Sequence, residues 1–252
     1  MANYSIAEDY TLPSMGKVYE QNVNPNVKIR SMTTQEEMRR LAPSDKVYKN
    51  LCDVIDDCLI ENPGISAYDM CLADYQFLLH KLRVVTYGAA YHTASKCPHC
   101  LSTNDKVIDL NDLPVKPLDL DELTKLTSFT LPKTGKNITI KVQTPRMVDE
   151  VNSRVKELKK KTNNQATDAA LLYTISSLIE TIDGEKLDPV MREAFVRQLP
   201  MMDTNYIIKC AQKLVESFGL DLKMTFECPV CGLDYTSYFR VTSEFFGPSI
   251  HI

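Results

Sequence analysis

No stretch of this sequence is apolar for long enough to cross a bilayer, and Met1 to Leu12 has neither the basic start nor the apolar run of a secretory signal. The expectation is a soluble chain that stays in a reducing cytosol, where cysteines serve as metal ligands or buried apolar groups rather than in disulfides. A basic excess is missing too. Lys and Arg total 29 against 33 Asp and Glu, a formal net charge of −4 over 252 residues. General affinity for nucleic acid needs cations that displace counterions from phosphates, so this balance argues against it. There is no phosphate-binding loop: Lys133-Thr134-Gly135-Lys136-Asn137 has one glycine between two candidate strands, whereas that loop needs Gly-x-x-x-x-Gly-Lys-Ser/Thr between a strand and a helix. The sequence also shows no nucleophile paired with a base and no recognisable pair of catalytic carboxylates, so an enzyme is not expected.

What is present is two cysteine pairs, Cys97-Pro98-His99-Cys100 and Cys228-Pro229-Val230-Cys231. A two-residue spacing lets a tight turn aim both sulfurs at one ion, and four thiolates suit tetrahedral Zn²⁺ in a closed, structural site. Cys97, Cys100, Cys228 and Cys231 are therefore the candidate ligands, with zinc as cofactor. Residues 101–227 separate the pairs, far more than in a simple zinc ribbon. Two readings remain: a ribbon with a subdomain inserted between its knuckles, or two pairs serving different sites. Local context favours the first. Val84 to Thr93 reads as extended chain before the first pair and Lys106 to Leu110 as its return strand; Lys223 to Phe226 and Tyr235 to Val241 repeat the layout around the second, with Gly232 after the knuckle.

Cys-Pro-His-Cys also resembles the active site of thioredoxin-fold oxidants. That chemistry needs a helix starting at the pair to lower the thiol pKa, and Leu101 to Asp105 is turn-like instead. A thiol–disulfide oxidoreductase is the weaker alternative, and a zinc-ribbon nucleic-acid module using Lys96, Lys106 and Arg240 is another. One Zn²⁺ with four thiolates brings the chain to about −6, which gives Lys96 and Lys106 a charge-balancing role. Cys52, Cys58, Cys71 and Cys210 lie in helical, mostly apolar surroundings and read as buried hydrophobes. His99 occupies a variable knuckle position and should point outward; His92 is not needed as a ligand.

Residues 1–30 read as an extended N-terminal arm and first strand, apolar at Tyr4, Ile6, Tyr10, Leu12, Val18 and Tyr19 without helical period. Residues 31–83 read as a helical region with caps at Thr33 or Thr34, Ser44 and Asp69. Within it Asp74, His80, Lys81 and Arg83 are expected to be solvated or paired. Residues 84–110 and 222–252 form the split ribbon and C-terminal tail, and 111–221 the insertion. Asp109 to Glu122 reads as an acidic linker, followed by a hairpin from Phe129 to Val142. Four helices follow: one opened by Thr144-Pro145 and ending in Lys159-Lys160-Lys161, one carrying Ala169 to Ile179, one started by Asp188-Pro189, and one capped by Asp203 with Ile207, Cys210, Leu214 and Phe218 inward.

The order of local motifs suggests a family. Leu12-Pro13-Ser14-x-Gly16-x-Val18-Tyr19 is followed by Ile29-Arg30-Ser31-Met32-Thr33-Thr34-x-Glu36-Glu37. Then come Leu82-Arg83-x-x-x-Tyr87-Gly88-x-x-Tyr91, the two Cys-Pro-x-Cys knuckles and Phe245-Phe246-x-Pro248. This series, spanning nearly the whole chain, resembles the baseplate hub and hub-assembly proteins of T-even-type tailed bacteriophages. The resemblance implies a non-enzymatic virion or assembly protein, made in the host cytoplasm and acting at the tail baseplate. Its expected partners are other baseplate and tail proteins, with self-association a further route. The N-terminal arm and the aromatic Phe245/Phe246 segment are candidate contacts, since exposed aromatics mark interface anchors. The expected fold class is α+β: a split zinc ribbon with a long, mainly helical insertion between its two Cys-x-x-Cys knuckles.

Overall fold

The computed structural model describes residues 6–162, 169–239 and 245–246. Tyr4, Arg240 and most of the terminal segment, 241–244 and 247–252, lie outside the described residues. Helix and sheet are both present, so the fold is α+β.

The chain opens with an antiparallel pair, β1 (Ala7–Thr11) and β2 (Asn26–Arg30). The connection between them is pinned to the protein's own interior. Leu12, Val23, Val27 and Ile29 are buried, and Gly16 turns at φ +72° so close to Val23 that a Cβ there would sit 2.5 Å from its carbonyl oxygen. Ser14 and Tyr19 both reach Asp74, through the Ser14 amide (3.0 Å) and the Tyr19 hydroxyl (2.6 Å). The Leu-Pro-Ser-x-Gly motif is thus a tight turn docked onto a buried carboxylate of the same chain.

Helices α1 (Thr34–Leu41), α2 (Val47–Cys58) and α3 (Leu72–Tyr87) follow. Thr33 caps α1 in a capping box with Glu36. The other two expected caps are not used. Ser44 turns back on Lys46, and the first turn of α2 is capped from far along the chain: Asp149 accepts from the Tyr48 and Lys49 amides at 3.2 and 3.1 Å. Asp69 forms a two-point ion pair with Arg146. Helix α3 is central, with twelve of its sixteen residues buried, which is why its period does not show as a one-sided stripe. It also runs further than expected. Val84 and Val85 are buried helical residues, and Gly88, at φ +86°, ends the helix. Extended chain begins only at Ala90.

Burial of α3 decides between the two states expected of its polar residues. Asp74, His80 and Arg83 are not solvated but enclosed. Arg83, wholly buried, donates from Nε to the Phe245 carbonyl (2.7 Å) and from a terminal nitrogen to Gly88 (2.5 Å). Phe245 packs against His80, Tyr91 and Phe239, and Phe246 lies under the Arg40 guanidinium. These aromatics, 0 and 3 % exposed, fill the protein's own core and are not surface anchors as expected. An aromatic pair gains its burial wherever apolar neighbours converge, and here α3, Tyr91 and Phe239 supply them.

Two hairpins carry the cysteine pairs: β3 (Ala90–Lys96) with β4 (Thr103–Asp109), and, near the end of the described chain, β10 (Lys223–Glu227) with β11 (Asp234–Tyr238). Between them the supposed linker contributes core. A 3₁₀ turn at Leu110–Asp112 buries Leu110, and Leu113 is buried beside it. β5 (Val115–Lys116) then pairs antiparallel with β9 (Gly219–Leu220), so the chain between them departs and returns at one place. Gly219 is required there, at φ +100° with a would-be Cβ 2.9 Å from the Ala73 methyl.

Inside that neck lie α4 (Leu120–Thr127), β6 (Ser128–Thr130), β7 (Asn137–Ile140), α5 (Pro145–Lys161), α6 (Ala170–Leu178), β8 (Ile179–Ile182), α7 (Pro189–Gln198) and α8 (Met201–Ser217). The hairpin is as expected, but Ile179 ends the helix expected to hold it and starts a strand that completes a β6-β7-β8 sheet. Its β-branched run, Ile179-Glu180-Thr181-Ile182, explains the switch. Thr144 and Asp188 cap α5 and α7 as expected. Asp203 does not cap α8; wholly buried, it accepts from the Lys133 and Thr134 amides (2.8 and 2.9 Å) and holds the β6-β7 turn. Leu131, Ile138, Ile140, Ile175, Ile207 and Leu214 form a core here, separate from the one around α2 and α3.

Two measurements test these contacts. Asp149→Ala should lower the urea-derived unfolding free energy by about 2 kcal/mol, the cost of orphaning buried amides. Asp53→Ala, which breaks only the part-exposed Lys49 ion pair, should change it by less than about 0.5 kcal/mol. His80 gives a pH signature. Its Nδ1 lies 2.7 Å from the Gln76 carbonyl, Nε2 has no hydrogen-bond partner among the described residues, and burial pushes its pKa down to about 4. The unfolded chain binds the proton more tightly, so stability should be complete above pH 6.5 and fall between pH 6.5 and about 4, by on the order of 3 kcal/mol. His80→Leu should flatten that part of the profile.

Candidate metal centre

The two cysteine turns are built alike. In the first, the Cys97 amide donates to Ser102 (2.9 Å) and the Leu101 amide to Cys97 (3.0 Å); in the second, the Cys228 amide donates to Leu233 (3.0 Å) and the Gly232 amide to Cys228 (2.8 Å). The equivalent fifth residues, Leu101 and Gly232, both take left-handed backbone, at φ +63° and +71°. Glycine does this freely and leucine does not. Each turn therefore tucks its first cysteine inward: Cys97 and Cys228 are 0 % exposed, while Cys100 and Cys231 are open to solvent.

The hairpins bring the turns face to face, and all four sulfurs lie within 4.8 Å of one another. Cys97 Sγ is 3.9 Å from Cys231 Sγ, and Cys100 Sγ is 3.6 Å from Cys228 Sγ. Four ligands on a tetrahedron at the usual zinc–sulfur bond length stand about 3.8 Å apart. The four sulfurs can hold a metal ion. A helix does not begin at either pair; Cys100 leads through Leu101 and Ser102 into β4, so the dipole that activates thioredoxin-type thiols is missing. Phe226 and Tyr235 close a small apolar cluster around Cys97 and Cys228, backed by Ile108 and Met224.

The electrostatics are uneven. The Ser102 hydroxyl leads in pulling Cys228 down to about 5, and the same residue's hydroxyl and amide lower Cys100. For Cys231 a Leu233 backbone hydrogen bond pulls down, but desolvation and the neighbouring thiols push the net value up to about 12. Such groups titrate as a set.

Sequence reasoning found the four sulfurs but not the residues around them. Ser102 Oγ is 3.1 Å from Cys100 Sγ and 3.4 Å from Cys228 Sγ. Asn104 Nδ2 is 3.6 Å from Cys228 Sγ and 3.1 Å from the Tyr235 hydroxyl. Asn104, on the inward-facing register of β4, was the only available signal: a polar residue where alternation calls for an apolar one. Lys106 does not turn to the sulfurs; its ammonium sits 3.1 Å from the Glu227 carbonyl and over the Phe226 ring. Lys96 is exposed. His99 is exposed, its Nε2 3.2 Å from the Asp234 carbonyl, and takes no place among the sulfurs.

The strained backbone at Leu101 is testable. Leu101→Gly should raise thermal stability by about 1 kcal/mol with unchanged metal content; calorimetry with elemental analysis checks both.

A family model described as T4 bacteriophage base plate protein matches residues 1–247. No curated protein and no solved structure matches. The chain belongs to the T4 bacteriophage base plate protein family.

Proposed function

We propose that this member of a phage baseplate family is a non-enzymatic structural or assembly component of the hub region of a contractile tail, made in the host cytoplasm and folded around a structural Cys₄ zinc site. The family match over residues 1–247 carries the baseplate reading. The hub assignment rests on the ordered motifs from Leu12 to Pro248. The partners are other baseplate and tail proteins. The motifs themselves face inward: Leu12, Ser14, Arg83, Tyr91, Phe245 and Phe246 are all buried. They preserve a scaffold, as a part that must fit fixed neighbours requires. Among the described residues no helix is long and apolar enough to cross a membrane.

Zinc is assigned to Cys97, Cys100, Cys228 and Cys231, because four thiolates at these separations match a closed tetrahedral site. When bound, the ion cross-links the two hairpins and supplies no open position for catalysis. The hairpins Ala90–Asp109 and Lys223–Tyr238 are then the halves of a split zinc ribbon, and the chain between them is its insertion.

Native mass spectrometry of the full chain should find one Zn²⁺. Cys228→Ser should lose it and lower Tm by roughly 10 °C, the shift that about 3–4 kcal/mol makes in a chain of this size. In a phage lacking the gene, the wild-type chain supplied in trans should restore assembled baseplates, and Cys97→Ser/Cys228→Ser should not. Normal tails without the gene would refute the baseplate role; a metal-free wild-type chain of unchanged stability would refute the zinc site.

A further inference from the structure

A Cys₄ site around a divalent ion carries a net charge of −2, and here two of its sulfurs are fully buried. Buried negative charge persists only where donors face it. Lys106, a cation on the first hairpin, is committed to the Glu227 carbonyl and the Phe226 ring. What faces Cys228 instead is neutral: the Val230 and Cys231 backbone amides, and two side-chain donors, the Ser102 hydroxyl at 3.4 Å and the Asn104 amide at 3.6 Å.

The two side-chain donors are not equivalent. Ser102 has one proton and three acceptors to serve, since it also lies 3.1 Å from Cys100 Sγ and 3.4 Å from Asn104 Oδ1. Asn104 has two N–H groups and two acceptors, Cys228 Sγ and the Tyr235 hydroxyl (3.1 Å). Accepting from Asn104 leaves the Tyr235 proton for Ser95 Oγ, 2.6 Å away. The row Cys228, Asn104, Tyr235, Ser95 is continuous, and in its last link either hydroxyl can donate. The flipped amide would set its oxygen against a sulfur anion, so the orientation with nitrogen toward Cys228 is the one a metal-bound site selects. All three supporting residues are buried, at 4, 4 and 8 % exposure. They stand on β4, β11 and β3, so the row crosses from one hairpin to the other.

We infer that Asn104, oriented by Tyr235 and Ser95, is a positioning residue of the metal centre: its amide holds Cys228 as a hydrogen-bonded thiolate and ties metal retention to the docking of the two hairpins. The inference rests on the Cys₄ reading above. Asn104 acts through Cys228 and does not touch the ion.

The test uses the full chain in its zinc and Co²⁺ forms. Asn104→Leu keeps the branched side-chain shape and removes the donor. It should weaken metal retention against a chelator about 10-fold, the usual effect of losing such a supporting hydrogen bond. It should also move the sulfur-to-cobalt charge-transfer band to lower energy, because a thiolate without its hydrogen bond gives up electron density more readily. Packing alone would not move that band. Tyr235→Phe keeps the ring against Phe226 and removes only the hydroxyl; it should shift the band the same way by less, and it decides the matter if Asn104→Leu does not fold. Unchanged retention and an unchanged band in these variants, with wild type binding Co²⁺ through four thiolates, would overturn the role of Asn104 and leave the Cys₄ site standing. A wild-type chain that binds neither ion would overturn both.

Discussion

Buried carboxylates that accept backbone amides are the constraint on which the rest of this architecture depends. Asp74, Asp149 and Asp203 each sit on a helix, none is more than 2 % exposed, and each holds a segment distant in sequence. Asp74 takes the turn at Ser14, Asp149 the first turn of α2, and Asp203 the β6-β7 turn. A desolvated carboxylate without donors costs several kcal/mol, so each aspartate fixes its partner segment as firmly as the partner satisfies it. Asp149 has a further effect. It reaches from inside the β5-β9 neck to a helix outside it, and with the Arg146–Asp69 pair it sets the insertion against α2.

The same principle, oriented donors around buried negative charge, recurs at the cysteines. There Ser102 and Asn104 replace backbone amides, and sulfur replaces carboxylate oxygen. The hairpins bearing the sulfurs are only two-stranded, and such hairpins are marginal alone. Their stability comes from the contacts between them: Phe226 and Tyr235 around Cys97 and Cys228, and the hydrogen bond from Asn104 to Tyr235.

Local grammar made much of this readable in advance. Thr33, Thr144 and Asp188 cap the helices that their sequence context predicts, and the four knuckle cysteines converge, as the first of the two readings of their spacing expects. What sequence could not show was anything decided by a distant partner. Asp69 and Asp203 have the chemistry of caps but are captured by Arg146 and by a hairpin turn. The α3 segment from Val84 looks like a strand because its apolar residues are continuous, and they are continuous because the helix is buried on most sides. Phe245 and Phe246 have the composition of an interface anchor. Only the pocket formed by His80, Arg83 and Tyr91 shows that they are core. At the cysteine cluster the four sulfurs were legible and the residues around them were not, since Ser102 and Asn104 carry no motif.

The pairing of β5 with β9 has a kinetic side. Residues 101–227 separate the inner cysteines of the two turns, and bringing ends that far apart together is entropically costly and slow. Once the insertion has folded and Val115 is paired with Leu220, the loop still to be closed shrinks to the short arms on either side of the neck. That lowers the closure cost by about 1.5–2 kcal/mol on the logarithmic scaling of loop entropy. During synthesis Cys97 and Cys100 leave the ribosome well before Cys228, and the β5-β9 pairing is the feature of the fold that returns the second turn to the first.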